Sequence, residues 1–179
     1  MGLYNEEGWR DNIANFFTQA ATGMTEPAFE NMGNGLYSHK FTNGEALVTH
    51  NHINHDVKPN GETYFHMHWA PSVNMAVGET ITWTIDYTIA RGHHQGDVFT
   101  ALTTSLVLTY VADGTELANE HMILESTTPI VTPEPDSLIL SKVTYGEGTF
   151  GSASYGFNMD LHYEVDRNAT PNKAPNFYA

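Results

Sequence analysis

Strict two-residue alternation is the feature that most restricts what this chain can fold into. From Thr80 to Ala90, Ile81, Trp83, Ile85, Tyr87 and Ile89 fall on one side; Thr82, Thr84, Asp86 and Thr88 fall on the other. From Tyr155 to Asp166, Phe157, Met159, Leu161, Tyr163 and Val165 alternate with Asn158, Asp160, His162, Glu164 and Asp166. A strand sends successive side chains to opposite faces, so this period with one apolar side reads as half-buried antiparallel sheet. Further strand segments lie at Gly35–Phe41, Glu45–Ile53, Thr63–Ala70, Thr103–Val111, Glu120–Glu125 and Leu138–Tyr145, about eight in all. The same-face rule predicts a core of Trp83, Ile85, Tyr87, Leu106, Leu108, Phe157, Leu161 and Tyr163.

Turn chemistry separates these segments. Thr42-Asn43-Gly44 and Ala112-Asp113-Gly114 have hairpin composition, and Pro59-Asn60-Gly61 marks a turn. Residues Pro129 to Pro135 form an extended loop. A short helix is expected near Trp9–Ala20, where Trp9, Ile13, Phe16 and Phe17 recur at helical spacing. The expected fold is therefore all-β: an antiparallel two-sheet sandwich of the jelly-roll kind, with a short N-terminal helix and an extended C-terminal arm. The expected divisions are 1–30 for the helix or arm, 31–166 for the sandwich and 167–179 for the C-terminal arm.

Histidine carries the chemistry. His50 and His52 share one strand face, and His66 and His68 share another. An H-x-H pair on a strand is how cupin-like enzymes hold iron or manganese, but such a centre needs further ligands. The next acid after His68 is Glu79, beyond a turn, and the later candidates His121 and His162 lie in no matching context. No catalytic metal and no cofactor are expected on this reading; a cupin-like metal-binding enzyme using His66 and His68 is the alternative. The competing reading makes these histidines polar residues of a sheet face, or places some of His50, His52, His66 and His68 at a subunit interface or central axis, where association would weaken as pH falls through the ordinary histidine range. His93 and His94 sit in a glycine-flanked loop, Arg91-Gly92-His93-His94-Gln95-Gly96, expected as an exposed tip. There is no Gly-x-Ser-x-Gly elbow, since Gly151-Ser152-Ala153-Ser154-Tyr155-Gly156 has the wrong spacing. An enzyme is not expected.

Charge narrows the partners. The chain has 7 Lys and Arg against 21 Asp and Glu, a formal charge of -14. So few cations cannot build a phosphate-contacting surface or grip an anionic membrane, so neither nucleic acid nor membrane is an expected partner. With no cysteine, thiolate sites and disulfides are excluded. Residues Met1 to Glu7 show no signal-peptide pattern.

Four segments together resemble a family of small virion structural proteins of tailed bacteriophages. They are Trp9-Arg10-Asp11; His55-Asp56-Val57-Lys58 with Gly61 to Trp69 and its H-x-H-W block; Ile81 to Tyr87; and Met159-Asp160-Leu161-His162-Tyr163-Glu164-Val165-Asp166. The matching positions run from the start to Asp166. The His- and Asn-rich tract 50–55 and the tail after Asp166 depart from the pattern. The resemblance implies a non-enzymatic virion protein, assembled in the host cytoplasm. It would serve as a capsid decoration or cement protein that forms a homo-oligomer, expected as a trimer, and contacts the major capsid protein or other virion proteins. A neck, tail or knob protein that contacts the host surface is the alternative within the same class.

Overall fold

Every strand that the alternation announces is present, and the order in which these strands pair defines the architecture. The computed structural model describes residues 8–17, 23–102, 104–130, 134–166 and 169–178. Its strands are β1 (Gly8–Ala14), β2 (Phe16–Phe17), β3 (Ala28–Gly33), β4 (Leu36–Phe41), β5 (Ala46–His52), β6 (Thr63–Pro71), β7 (Thr80–Ala90), β8 (Thr104–Val111), β9 (Met122–Glu125), β10 (Leu138–Gly146) and β11 (Ser154–Val165). One sheet runs β3-β4-β11-β6-β9, with β1 also paired to β11; the other runs β2-β5-β10-β7-β8. All pairings between these strands are antiparallel. Reduced to β4 through β11, the sheets read β4-β11-β6-β9 and β5-β10-β7-β8. That interleaving is a jelly roll.

The two inner faces meet through aromatic pairs. Phe41 meets Trp83 at 5.0 Å, Phe65 meets Tyr87 at 5.3 Å and Trp69 meets Tyr110 at 5.3 Å between ring centroids, each pair joining one sheet to the other. Trp69, Trp83, Tyr145, Phe41 and Phe65 are among the largest fully buried side chains. Of the expected core, Trp83, Ile85, Tyr87, Leu108, Leu161 and Tyr163 are buried, and Leu106 packs against them part-buried. Phe157 is the exception. The β11–β6 register shifts between Gly156 and Asn158, and such a bulge turns the residue it spans away from its alternating face. Phe157 accordingly lies half-buried beside His121, with ring centroids 5.9 Å apart.

The expected N-terminal helix is not formed: residues 8–14 and 16–17 are strands, and residues 18–20 lie outside the described segments. The reason is a vacancy on β11. β4 pairs only with Ser154 to Gly156, which would leave the outer edge from Met159 to Val165 without backbone partners. β1 fills that edge from Gly8↔Val165 to Ala14↔Met159. After Asn15 the chain crosses to the second sheet, where Phe16 and Phe17 pair with Thr49 and Val48 on β5. Backbone pairing thus overrides a helical spacing whose Trp9 and Ile13 remain 46% and 68% exposed. β3 was not expected either. It forms a hairpin with β4 through Asn34-Gly35, both in the left-handed region, at φ 54° and 79°, as a type I′ turn requires. β1 and β3 therefore place Gly8–Ala14 and Ala28–Gly33 in the six-stranded sheet.

The described tail, residues 169–178, has no strand and lies back on the domain. Phe177 is buried, its ring 5.5 Å from that of His55 and 5.9 Å from that of His93. The Tyr178 hydroxyl donates to the Val57 carbonyl at 3.0 Å.

Candidate functional site

The alternation that buries Phe65, Met67 and Trp69 on β6 turns His66 and His68 outward. The H-x-H pair thus stands on the solvent side of the six-stranded sheet, not in the sandwich interior. On neighbouring β11, Met159, Leu161 and Tyr163 point in, so Asp160 and His162 point out. The register then does the rest: Asp160 pairs with His66, and His66 pairs with Glu125 on β9. On the other side of β11, Asp11 of β1 pairs with His162. Directly paired residues on one face hold their side chains within contact distance, so four strands deliver acids and imidazoles to one patch.

Within it, three atoms converge. His66 Nε2 bonds the Glu125 carboxylate Oε2; His162 Nδ1 lies 3.0 Å from the same oxygen and 3.0 Å from His66 Nε2. Asp11 Oδ1 lies 3.9 Å from His66 Nδ1. Beside this triangle, His68 Nε2 is 3.0 Å from Asp160 Oδ1, and His68 Nδ1 is 2.9 Å from His121 Nε2. Two sets of three ligand atoms, Asp11–His66–His162 and His66–His68–Asp160, lie within 4.8 Å of one another. The Asp160 side chain is only 2% exposed. Burial pushes its carboxyl up, against the pull of His68 and His66. Burial alone would also raise Glu125, but the hydrogen bonds from His66 and His162 outweigh it and hold that carboxyl below its usual range. The patch opens on a shallow cavity of about 240 Å³ lined by Trp9, Glu62, Tyr64, Glu125 and His162. Trp9 covers His162 with ring centroids 4.9 Å apart.

The further ligands that the sequence left without a place thus include His162, which joins His66, and His121, which joins His68. Glu79 does not join them; its carboxylate accepts from the Ala76 amide at 2.7 Å. Sequence reasoning passed over Asp11, Glu125 and Asp160. Asp160 carried a readable signal, since it shares a strand face with His162, but nothing local told which strands flank it.

His50 and His52 do not share this patch. They project from β5 in the other sheet. The His50 ring packs on Phe17 at 4.7 Å, and His52 Nε2 lies 3.3 Å from Asp136 Oδ1. The two H-x-H pairs therefore stand on different sheets. His55 Nε2 and His93 Nε2 also reach Asp136, at 3.0 and 2.7 Å. Burial alone would raise that carboxyl, but the hydrogen bonds from His93 and His55 hold it down.

No family model matches the chain, and no curated protein matches it. Among solved structures, it is similar to the insecticidal delta-endotoxin Cry8Ea1 of Bacillus thuringiensis (TM-score 0.47, 14% identity, 86% of this chain and 24% of that one). It is also similar to the N-terminal CBM22-1–GH10 modules of xylanase 10B of Clostridium thermocellum (TM-score 0.39, 11% identity, 92% and 28%). A third is the α-L-arabinofuranosidase MgGH51 (TM-score 0.30, 12% identity, 88% and 22%). The chain spans about a quarter of the length of each.

Proposed function

We propose that this chain is a non-enzymatic structural protein of a tailed-phage virion: a jelly-roll module that associates with copies of itself, as a trimer, and sits on the head shell as a decoration or cement protein. The observation that carries this reading is the division of labour between the faces. The space between the sheets is filled by Trp69, Trp83, Tyr145, Phe41 and Phe65, whereas His66, His68 and their acidic neighbours stand outside. A cupin-like enzyme would hold its H-x-H pair inside the barrel, where substrate is enclosed. An outward pair over a solid interior suits contact rather than turnover.

Association has its own support. β3 is an edge strand, and its hairpin with β4 exposes Phe29, Leu36 and Tyr37 by 63%, 65% and 59%. An exposed apolar edge is a template for pairing with a second chain. The charge of -14 suits a surface that meets protein rather than packaged nucleic acid.

The test is a mass-spectrometric inventory of purified virions of the encoding phage, with light scattering on the isolated protein. The expected result is a stoichiometric virion component found with the head fraction and a trimeric mass in solution. Absence from virions overturns the reading. Recovery with tails moves the protein to the neck or tail, and a monomeric mass removes the self-association.

A further inference from the structure

We propose that the outer face of the six-stranded sheet holds one divalent transition-metal ion of the zinc class, ligated by His66 Nε2 from β6, His162 Nδ1 from β11 and Glu125 Oε2 from β9. The proposal does not rest on the virion reading and stands or falls separately from it.

The first argument is proton bookkeeping. Two imidazole nitrogens and one carboxylate oxygen meet at a point, with His162 Nδ1 3.0 Å from each of the other two. A neutral imidazole carries a single N–H; when both rings give theirs to Glu125 Oε2, His66 Nε2 and His162 Nδ1 face each other at 3.0 Å with no proton between them. A cation accepts all three lone pairs at once. The second argument is spacing. Bonds of about 2.0–2.1 Å to nitrogen and oxygen in a tetrahedral site set ligand atoms about 3.3 Å apart. The two separations of 3.0 Å reach that value with a shift of a few tenths of an ångström; the tighter His66 Nε2–Glu125 Oε2 pair must open further, which the 44% exposed Glu125 side chain achieves by rotation.

The third argument is what surrounds the triangle. A metal-bound imidazole usually turns its other nitrogen to a carboxylate, which fixes the ring. Asp11 Oδ1 lies on that side of His66, 3.9 Å from Nδ1, and would close to hydrogen-bond distance by a small side-chain rotation. The second set, His66–His68–Asp160, adds a carboxylate that is almost fully buried on this face. Two imidazoles with a carboxylate suit zinc, cobalt or nickel rather than calcium or magnesium, which prefer all-oxygen shells. The fourth position faces the cavity beside Trp9 and Tyr64 and takes water. Physically, the ion would tie the four-residue edge strand β9 to β6 and β11.

The experiment uses untagged, chelator-stripped protein titrated with zinc by calorimetry and with cobalt(II) by visible absorption. The expected result is one ion per chain, a low-coordinate cobalt spectrum and a rise in the thermal midpoint on zinc addition. His162→Ala and Glu125→Gln should each weaken zinc binding at least about a hundredfold, and Asp11→Asn about ten- to a hundredfold. Circular dichroism confirms that each variant folds. His50→Ala/His52→Ala, on the other sheet, should leave binding unchanged. The proposal is overturned by the absence of stoichiometric binding. It is equally overturned by binding that survives in the His162→Ala/Glu125→Gln double variant, or by binding lost only with His50 and His52. Those last outcomes would mark scattered surface histidines and a hydrogen-bonded triangle instead.

Discussion

Trp83 on β7 and Phe41 on β4 meet nearly at right angles, at 83° and 5.0 Å between ring centroids, across the gap between the sheets. Tyr145, paired with Trp83 in the neighbouring strand, packs on the same indole at 4.9 Å. Trp83 is fully buried, so it links both sheets at once. Trp83→Ala should destabilise the protein by about 3–5 kcal/mol, since the loss includes transfer of the indole and the cavity it leaves. Chemical denaturation checks this; an unchanged midpoint would mean that the sandwich closes without this contact.

The bulge on β11 makes a second prediction. A Cβ at Gly156 would approach Phe41 Cε2 to 2.7 Å and Met67 Cε to 3.0 Å. The methionine methyl is the end of a flexible chain and can yield, but the Phe41 ring is fully buried against Trp83. Gly156→Ala should therefore cost about 1–3 kcal/mol as an overpacked core. Combining it with Phe41→Leu should recover part of that loss, because the two changes act on one contact.

Glu116 should contribute to the acid sensitivity of the fold. This buried side chain accepts from the Tyr110 hydroxyl and from the amides of Asp113 at 3.0 Å and Gly114 at 2.9 Å. Burial alone would raise its carboxyl; these hydrogen bonds outweigh burial and hold it at about 2. A carboxyl held lower in the folded than in the unfolded state stabilises above its unfolded value, about 4.3, and loses that contribution as pH falls toward 2. Glu116→Gln should destabilise by about 1–3 kcal/mol at neutral pH, through amides left with a poorer acceptor. The gap between variant and wild type should narrow steadily from pH 5 to pH 2.5, values chosen to bracket that fall. A gap independent of pH would assign the effect to packing alone.

The tail should come loose before the sandwich does. Phe177 is its buried anchor, set against His55 and His93, and His55 Nδ1 lies 2.6 Å from Thr170 Oγ1. Truncating a buried Phe removes about 1.5–3 kcal/mol of apolar burial. Phe177→Ala should thus speed proteolytic cleavage within residues 169–178 roughly ten- to a hundredfold. The global unfolding midpoint should move far less. Equal shifts in both would mean that tail and sandwich unfold as one unit.

The alternation by itself located the eight strands of the jelly roll, because period-two patterning is a property of consecutive residues and needs no partner. It also assigned faces correctly for Ile81, Trp83 and Ile85, and for Met159, Leu161 and Tyr163. It failed at Phe157, where a bulge breaks the count, and at Trp9 to Phe17, where a helical spacing lost to an open edge on β11. Neither outcome is encoded in neighbouring residues. The candidate metal centre lies still further from local reach. His66 is 59 residues from Glu125 and 96 from His162, so the sequence could supply an H-x-H pair but not its companions. Strand order and register brought β9 and β11 to either side of β6, and a register slip of one residue would have sent Glu125 or Asp160 to the opposite face. Backbone pairing across long sequence separations, which no local pattern specifies, decided that these acids and imidazoles meet.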